Sequence, residues 1–141
     1  MTTRGHLEIE AGRELTPDEK SIADMLVGEG RHVIARRVSQ ITRTRSADFE
    51  ANSINTELKT VSNLTSPDLA GALTRRILEG AGQAPHIIVD ARGQVGMTQE
   101  IAENAVKRAF VKQTKDDNVR IVRVRIVGQS FDVMIDYDPH A

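Results

Sequence analysis

Three side chains in the first half of the chain have types and spacing that could do chemistry together: Asp48, Glu57 and Lys59. Ser46 to Ala51 and Ile54 to Val61 each alternate apolar and polar residues, the two-residue period of a strand. Asn52-Ser53 between them suits a tight hairpin turn. With a two-residue turn Ala51 pairs with Ile54, and counting back sets Asp48 opposite Glu57 and Ser46 opposite Lys59. Opposed Cβ atoms lie about 4.5–5.5 Å apart. Glu57 and Lys59 share one side of their strand, roughly 6.6 Å apart along it. One face therefore gathers two carboxylates and an ammonium.

Like charges directly opposite on a sheet repel. A shared proton, Lys59 or a divalent cation would each compensate. Two carboxylates with open positions suit Mg²⁺ or Mn²⁺, which prefer oxygen ligands and keep several waters. Such an ion lowers the pKa of a bound water and stabilises charge on a scissile phosphate. Lys59 would orient or deprotonate that water, or steady the phosphate under attack. Spacing alone leaves a second reading open, an exposed strand face with one Glu–Lys pair worth little.

The elements that must position these residues follow from periodicity and capping. Thr16-Pro17-Asp18-Glu19 places Thr at the N-cap, Pro at the first helical position and Glu at N3, a capping box. Ile22, Met25 and Leu26 continue that helix until Gly28 and Gly30. Val33, Ile34 and Val38 fit a first strand, ahead of the hairpin. Ser66-Pro67-Asp68 opens a second helix, with Leu69, Leu73 and Ile77 at four-residue steps, ending near Gly80-Ala81-Gly82. His86 to Val89 is a short apolar run, the mark of a strand covered on both faces. Asp90-Ala91-Arg92-Gly93 reads as a turn. Thr98 caps a third helix with the stripe Ile101, Ala105, Val106, Ala109 and Phe110. Val119–Val127 and Phe131–Tyr137 form a final hairpin across Gly128-Gln129.

The predicted fold is α/β: an α-β-β-β-α-β core followed by a further α-β-β, giving a mixed sheet with flanking helices. Residues 1–15 read as a loose lead-in, and 16–141 as a single domain.

Composition narrows the chemistry. The chain has 141 residues, 39% apolar and 28% charged, which suits one soluble globular domain. There is no Cys, so disulfides, thiolate nucleophiles and Cys-based zinc sites are excluded. Three Phe, one Tyr and no Trp make base stacking on aromatic platforms a poor explanation of nucleic-acid binding. Net charge is −1, but the distribution is uneven: five Arg and no acid lie between Arg31 and Arg45. Three Asp and no Lys or Arg lie from Asp132 onward. No stretch reaches the roughly 18 apolar residues of a membrane span, and residues 1–14 carry no apolar signal-like core.

Several longer series carry a resemblance. They are Glu19-x-x-Ile22-Ala23-x-x-Leu26 leading to Gly30-Arg31-His32-Val33, then Ser46-Ala47-Asp48-Phe49, then Thr56-Glu57-Leu58-Lys59-Thr60, then Gln83 to Arg92. With Asp on the second core strand and Glu-x-Lys on the third, the chain resembles the PD-(D/E)xK nuclease superfamily (restriction-endonuclease-like). More narrowly, it is similar to the C-terminal, tRNA-cleaving toxin domain of the contact-dependent growth inhibition protein CdiA. The resemblance covers about residues 16 to 93. It departs at Ala47, where the superfamily often has Pro.

The resemblance implies a metal-dependent endonuclease with Asp48 and Glu57 as ligands of Mg²⁺ or Mn²⁺ and Lys59 acting beside them. It adds Glu19 as a further carboxylate of the site, although Glu19 is also the N3 residue of the capping box. It implies a tRNA substrate ahead of DNA, a cognate immunity protein, and action in the bacterial cytoplasm after delivery as part of a secreted toxin. Arg75 and Arg92 are candidate contacts to a phosphate backbone. Arg92 and Asp90 also suit plain turn-making, and adjacent Arg75 and Arg76 diverge by about 100° on a helix, so at most one serves. A DNase of the same fold, or a non-catalytic immunity-type protein with Asp48, Glu57 and Lys59 as surface charges, remain alternatives. Metal-dependent cleavage separates the enzymes from the last.

Overall fold

The computed structural model describes residues 5–11, 14–35, 49–52, 54–80 and 84–138. In chain order the elements are β1 (His6–Ile9), α1 (Pro17–Gly28), β2 (His32–Ala35), β3 (Phe49–Ala51) and β4 (Ile54–Thr60). They continue with α2 (Leu69–Glu79), β5 (His86–Asp90), α3 (Gln99–Lys115), β6 (Arg123–Val127) and β7 (Asp132–Asp136). The seven strands lie side by side in sequence order. β1–β2, β4–β5 and β5–β6 pair in parallel, and β2–β3, β3–β4 and β6–β7 antiparallel. The sheet is mixed and the class α/β, as the element order predicts.

Residues 6–9 correct the expectation of a loose lead-in. They form an edge strand in which His6 pairs with His32 and Ile9 with Ala35. Four residues with only Leu7 and Ile9 apolar are too short to show a period. Their partner strand lies more than twenty residues downstream, beyond any local signal.

Both faces of the sheet are covered. Ile22, Ala23, Leu26 and Val27 of α1 pack on Val33, Ala35, Phe49, Leu58, Ile88 and Val127. On the other face, Leu73 and Ile77 of α2 and Ala105, Val106 and Ala109 of α3 pack on Ile87, Val89, Val124 and Ile126. β5 thus has apolar residues on both sides, as its unbroken apolar run requires.

Helix starts follow their caps. Thr16 N donates to Glu19 Oε1 at 2.9 Å and Glu19 N to Thr16 Oγ1 at 3.2 Å, the reciprocal capping box. Thr98 Oγ1 accepts from Ile101 N at 3.2 Å. α2 begins two residues later than Ser66-Pro67 suggests. Its N-cap is Asp68, whose carboxylate accepts from Gly71 N at 3.0 Å. That amide and the Arg108 guanidinium hold the Asp68 carboxyl below its ordinary range. β6 also starts later than Val119. The backbone at Ile121 bonds to the Gln113 side chain rather than to a partner strand, and Val122 N bonds to Pro85 O.

Candidate functional site

β3 and β4 set the site. Ala51 pairs with Ile54, Glu50 with Asn55 and Phe49 with Thr56, the register the two-residue turn predicts. Asn52 enters the turn at φ 49°, a left-handed value that Asn tolerates. Its Oδ1 accepts from His32 N at 2.8 Å, which ties the turn to β2. Asp48 and Ser46 lie outside the described residues, as do Val38 and the stretch 36–48.

Glu57 and Lys59 share one face of β4. Glu57 is paired with Ile87 and Lys59 with Val89, both in the core under α2 and α3. A Cβ added at Gly80, past the last turn of α2, would touch Ile87 at 2.7 Å and Glu57 Cγ at 3.7 Å. Glu57 is therefore tucked beneath the end of α2, and only 4% exposed. Lys59 Nζ lies 3.5 Å from Glu57 Oε2. This is not the exposed pair of the alternative reading. A buried carboxylate must be paired or ligated to remain charged.

By strand alternation the same face continues over the β1–β3 half of the sheet with Glu50, Ile34, Glu8, His32 and His6. No described helix residue belongs to a core on that half, so Glu57 and Lys59 stand at the border between a helix-covered floor and a polar one. His6, Glu8 and His32 form their own cluster, Glu8 Oε1 being 3.6 Å from His6 Nε2 and 3.8 Å from His32 Nε2. Sequence reasoning missed them because His6 fell in the supposed lead-in. Among the described residues no three His, Asp or Glu side chains are gathered as a metal cluster.

Glu19 is placed differently. It sits in the first turn of α1, which covers the opposite face from Glu57, and its Oε1 accepts from Thr16 N. The described contacts give Glu19 the cap role and do not bring it to Glu57 and Lys59.

Arg92 and Asp90 form a closed pair at the end of β5. Arg92 donates Nε to Asp90 Oδ1 and Nη2 to Oδ2, both at 2.8 Å, and Nη1 to Ser21 Oγ of α1 at 3.1 Å. Asp90 is 3% exposed, and the Arg92 guanidinium holds its carboxyl below the ordinary range. The tight turn runs over Ala91–Gln94, through Gln94 N to Ala91 O, one residue later than expected. Asp90 precedes it and accepts from Arg92 N. The fork geometry ties the loop to α1 and leaves Arg92 little freedom toward a phosphate. Arg75 is exposed on α2.

A second buried ionic cluster lies on the α1 face. Arg125 of β6 donates to Glu29 at the end of α1 and to Asp132 of β7, at 2.6–2.9 Å. Two carboxylates bonding its guanidinium raise the Arg125 pKa still further. Beside it His86 is half-buried, and burial, Arg123 and Arg31 lower its pKa.

No protein-family model matches this sequence, and no curated protein sequence matches it. Among solved structures, the chain is similar to a chain of the CdiA-CT/CdiI toxin and immunity complex from Burkholderia pseudomallei. The TM-score is 0.56 at 13% identity, over 94% of this chain and 99% of that one. At that identity the similarity is one of fold. The class established is thus an α/β fold shared with a component of a toxin–immunity pair. Among the described residues no helix is long and apolar enough to cross a membrane.

Proposed function

We propose that this chain is a metal-dependent endonuclease of the PD-(D/E)xK kind, acting on RNA with tRNA favoured over DNA. In this reading it serves as a toxin of a contact-dependent inhibition or related system, acts in the bacterial cytoplasm, and is neutralised by a cognate immunity protein. The observation that carries the reading is the sheltered Glu57–Lys59 pair on the strand that follows a hairpin in the expected register. The similarity to a chain of a CdiA-CT/CdiI complex supports the biological setting.

The donor set fits a hard cation: Glu57 offers carboxylate oxygen, Asp48 would add a second, and no thiol exists in the chain. When bound, Mg²⁺ or Mn²⁺ would activate water and neutralise phosphate charge. Glu57, fixed beneath α2, holds its oxygens in one place without reorganisation. Lys59 places a positive charge beside them, able to orient the attacking water or steady negative charge on the phosphate. Burial strengthens both effects by lowering the local dielectric.

A second reading, a non-catalytic immunity-type protein, draws on the same observations. The matched structure contains an immunity protein as well as a toxin, and the Glu57–Lys59 pair could serve packing alone. Incubation of purified protein with total tRNA and with plasmid, each with Mg²⁺, Mn²⁺ or EDTA, separates them. Metal-dependent loss of tRNA supports the proposal, loss of plasmid alone points to the DNase, and a folded protein that cuts neither supports the immunity-type reading.

A further inference from the structure

The open edge of β7 lies beside a groove that the proposed nuclease site does not use. β7 ends the sheet. Tyr137 N bonds inward to Val122 O, and Gly128 N to Phe131 O. By antiparallel alternation the odd residues of β7 pair with β6, while Asp132, Met134 and Asp136 turn their backbone N–H and C=O groups outward. Such an edge is a template for another strand. Asp132 and Asp136 would guard it if they leaned outward, but both are drawn back across the sheet to Arg125 and Arg123.

Alongside runs a groove of about 640 Å³ between β7 and α3. Its apolar lining is Phe110, Val111, Ile135 and Tyr137. Phe110 and Tyr137 pack edge to face at 5.4 Å, and the Tyr137 hydroxyl lies 2.6 Å from Thr114 Oγ1. Lys107, Val111 and Lys115 follow at four-residue steps and form one rim. Val111 is 65% exposed. Among the described residues Lys107 and Lys115 have no hydrogen-bond or ion-pair partner, whereas Asp136 across the groove is paired with Arg123. Asp138 also lines the groove on the β7 side, so the positive charge is concentrated on the α3 rim.

We propose that this edge and groove bind an extended, acidic-and-apolar segment of another polypeptide, added as an eighth strand beside β7. Its backbone would pair with Met134 and Asp136, its apolar side chains would cover Val111 and Phe110, and its carboxylates would meet Lys107 and Lys115. A second copy of this chain fits poorly, since antiparallel pairing of β7 with itself about Met134 sets Asp132 opposite Asp136. Nucleic acid fits poorly as well, since the lysines flank an apolar floor with few hydrogen-bond donors and no unstacked-base platform beyond Tyr137 and Phe110, which already pack on each other. The inference is independent of the nuclease reading.

The test is backbone-amide NMR of the intact chain during titration with a synthetic eight-residue peptide alternating valine and glutamate. A valine–lysine peptide and a short single-stranded RNA are the comparison probes. Saturable shifts at Met134, Asp136 and residues 107–115 with the acidic peptide alone are expected. Val111→Glu, on an exposed position, and Met134→Pro, which removes an outward N–H and no bond to β6, should each weaken binding at least tenfold. No shifts there with the acidic peptide, equal binding of the lysine peptide, RNA shifting the same amides, or self-association at that edge would each overturn the proposal.

Discussion

Lys59 Nζ lies 3.5 Å from Glu57 Oε2, with side chains only 16% and 5% exposed. Removing one member takes an opposite charge from beside the other in a sheltered place. Lys59→Met should therefore lower stability by about 1–3 kcal/mol, the range for taking a charged partner from a buried group. Glu57→Gln keeps shape and hydrogen-bonding capacity and should cost less. Urea melts of both variants check the order. Equal, negligible losses would show that the pair is solvated in solution.

Arg125 joins three elements, receiving Glu29 from α1 and Asp132 from β7. Its side chain is 8% exposed while the acids are 36% and 43% exposed, so the carboxylates can rehydrate if it is lost. Arg125→Met should cost about 2–4 kcal/mol, somewhat under the usual penalty for breaking a buried pair. Double variants with Glu29→Gln should be less than additive, because the two groups share one interaction.

The Asn52 turn makes a backbone prediction. At φ 49° a side chain without local hydrogen bonding is strained, and Asn52 Oδ1 also holds His32 N. Asn52→Ala should cost about 1–2 kcal/mol. Asn52→Gly relieves the φ strain and should cost less, although it too loses the bond to His32. Thermal melts decide. If alanine were tolerated better than glycine, the turn conformation would be in doubt.

How much of this was legible depended on whether the signal was local. The capping box at Thr16 and Glu19, the Thr98 cap and the Ala51–Ile54 register follow from residues a few positions apart, and the sequence carries them in full. β1 was illegible because its pairing with β2 is made across a whole helix. The same gap hid the His6–Glu8–His32 cluster. The shelter over Glu57 was equally hidden, since alternation on β4 shows which residues share a face and not that α2 ends above them. Asp90 and Arg92 could be read as a turn, but the bond to Ser21 of α1 depends on a contact across the fold.

His86 gives a pH dependence. Burial first, then Arg123 and Arg31, place its folded pKa below the ordinary 6.5. The unfolded chain then binds more protons than the folded one as pH falls below that value, so stability is full above it and declines as pH drops. Melting temperature should fall between about pH 7 and pH 5 more steeply for wild type than for His86→Gln. Identical slopes would remove His86 as the cause.

The central claim is tested most directly by tRNA cleavage in Mg²⁺ or Mn²⁺, comparing wild type with Asp48→Ala, Glu57→Gln and Lys59→Ala at matched folded concentration. The account predicts that wild type cuts only with metal, and that each variant loses at least a hundredfold in rate while remaining folded by circular dichroism. Cleavage by wild type in EDTA, undiminished cleavage by any folded variant, or no cleavage of tRNA by folded wild type would contradict it.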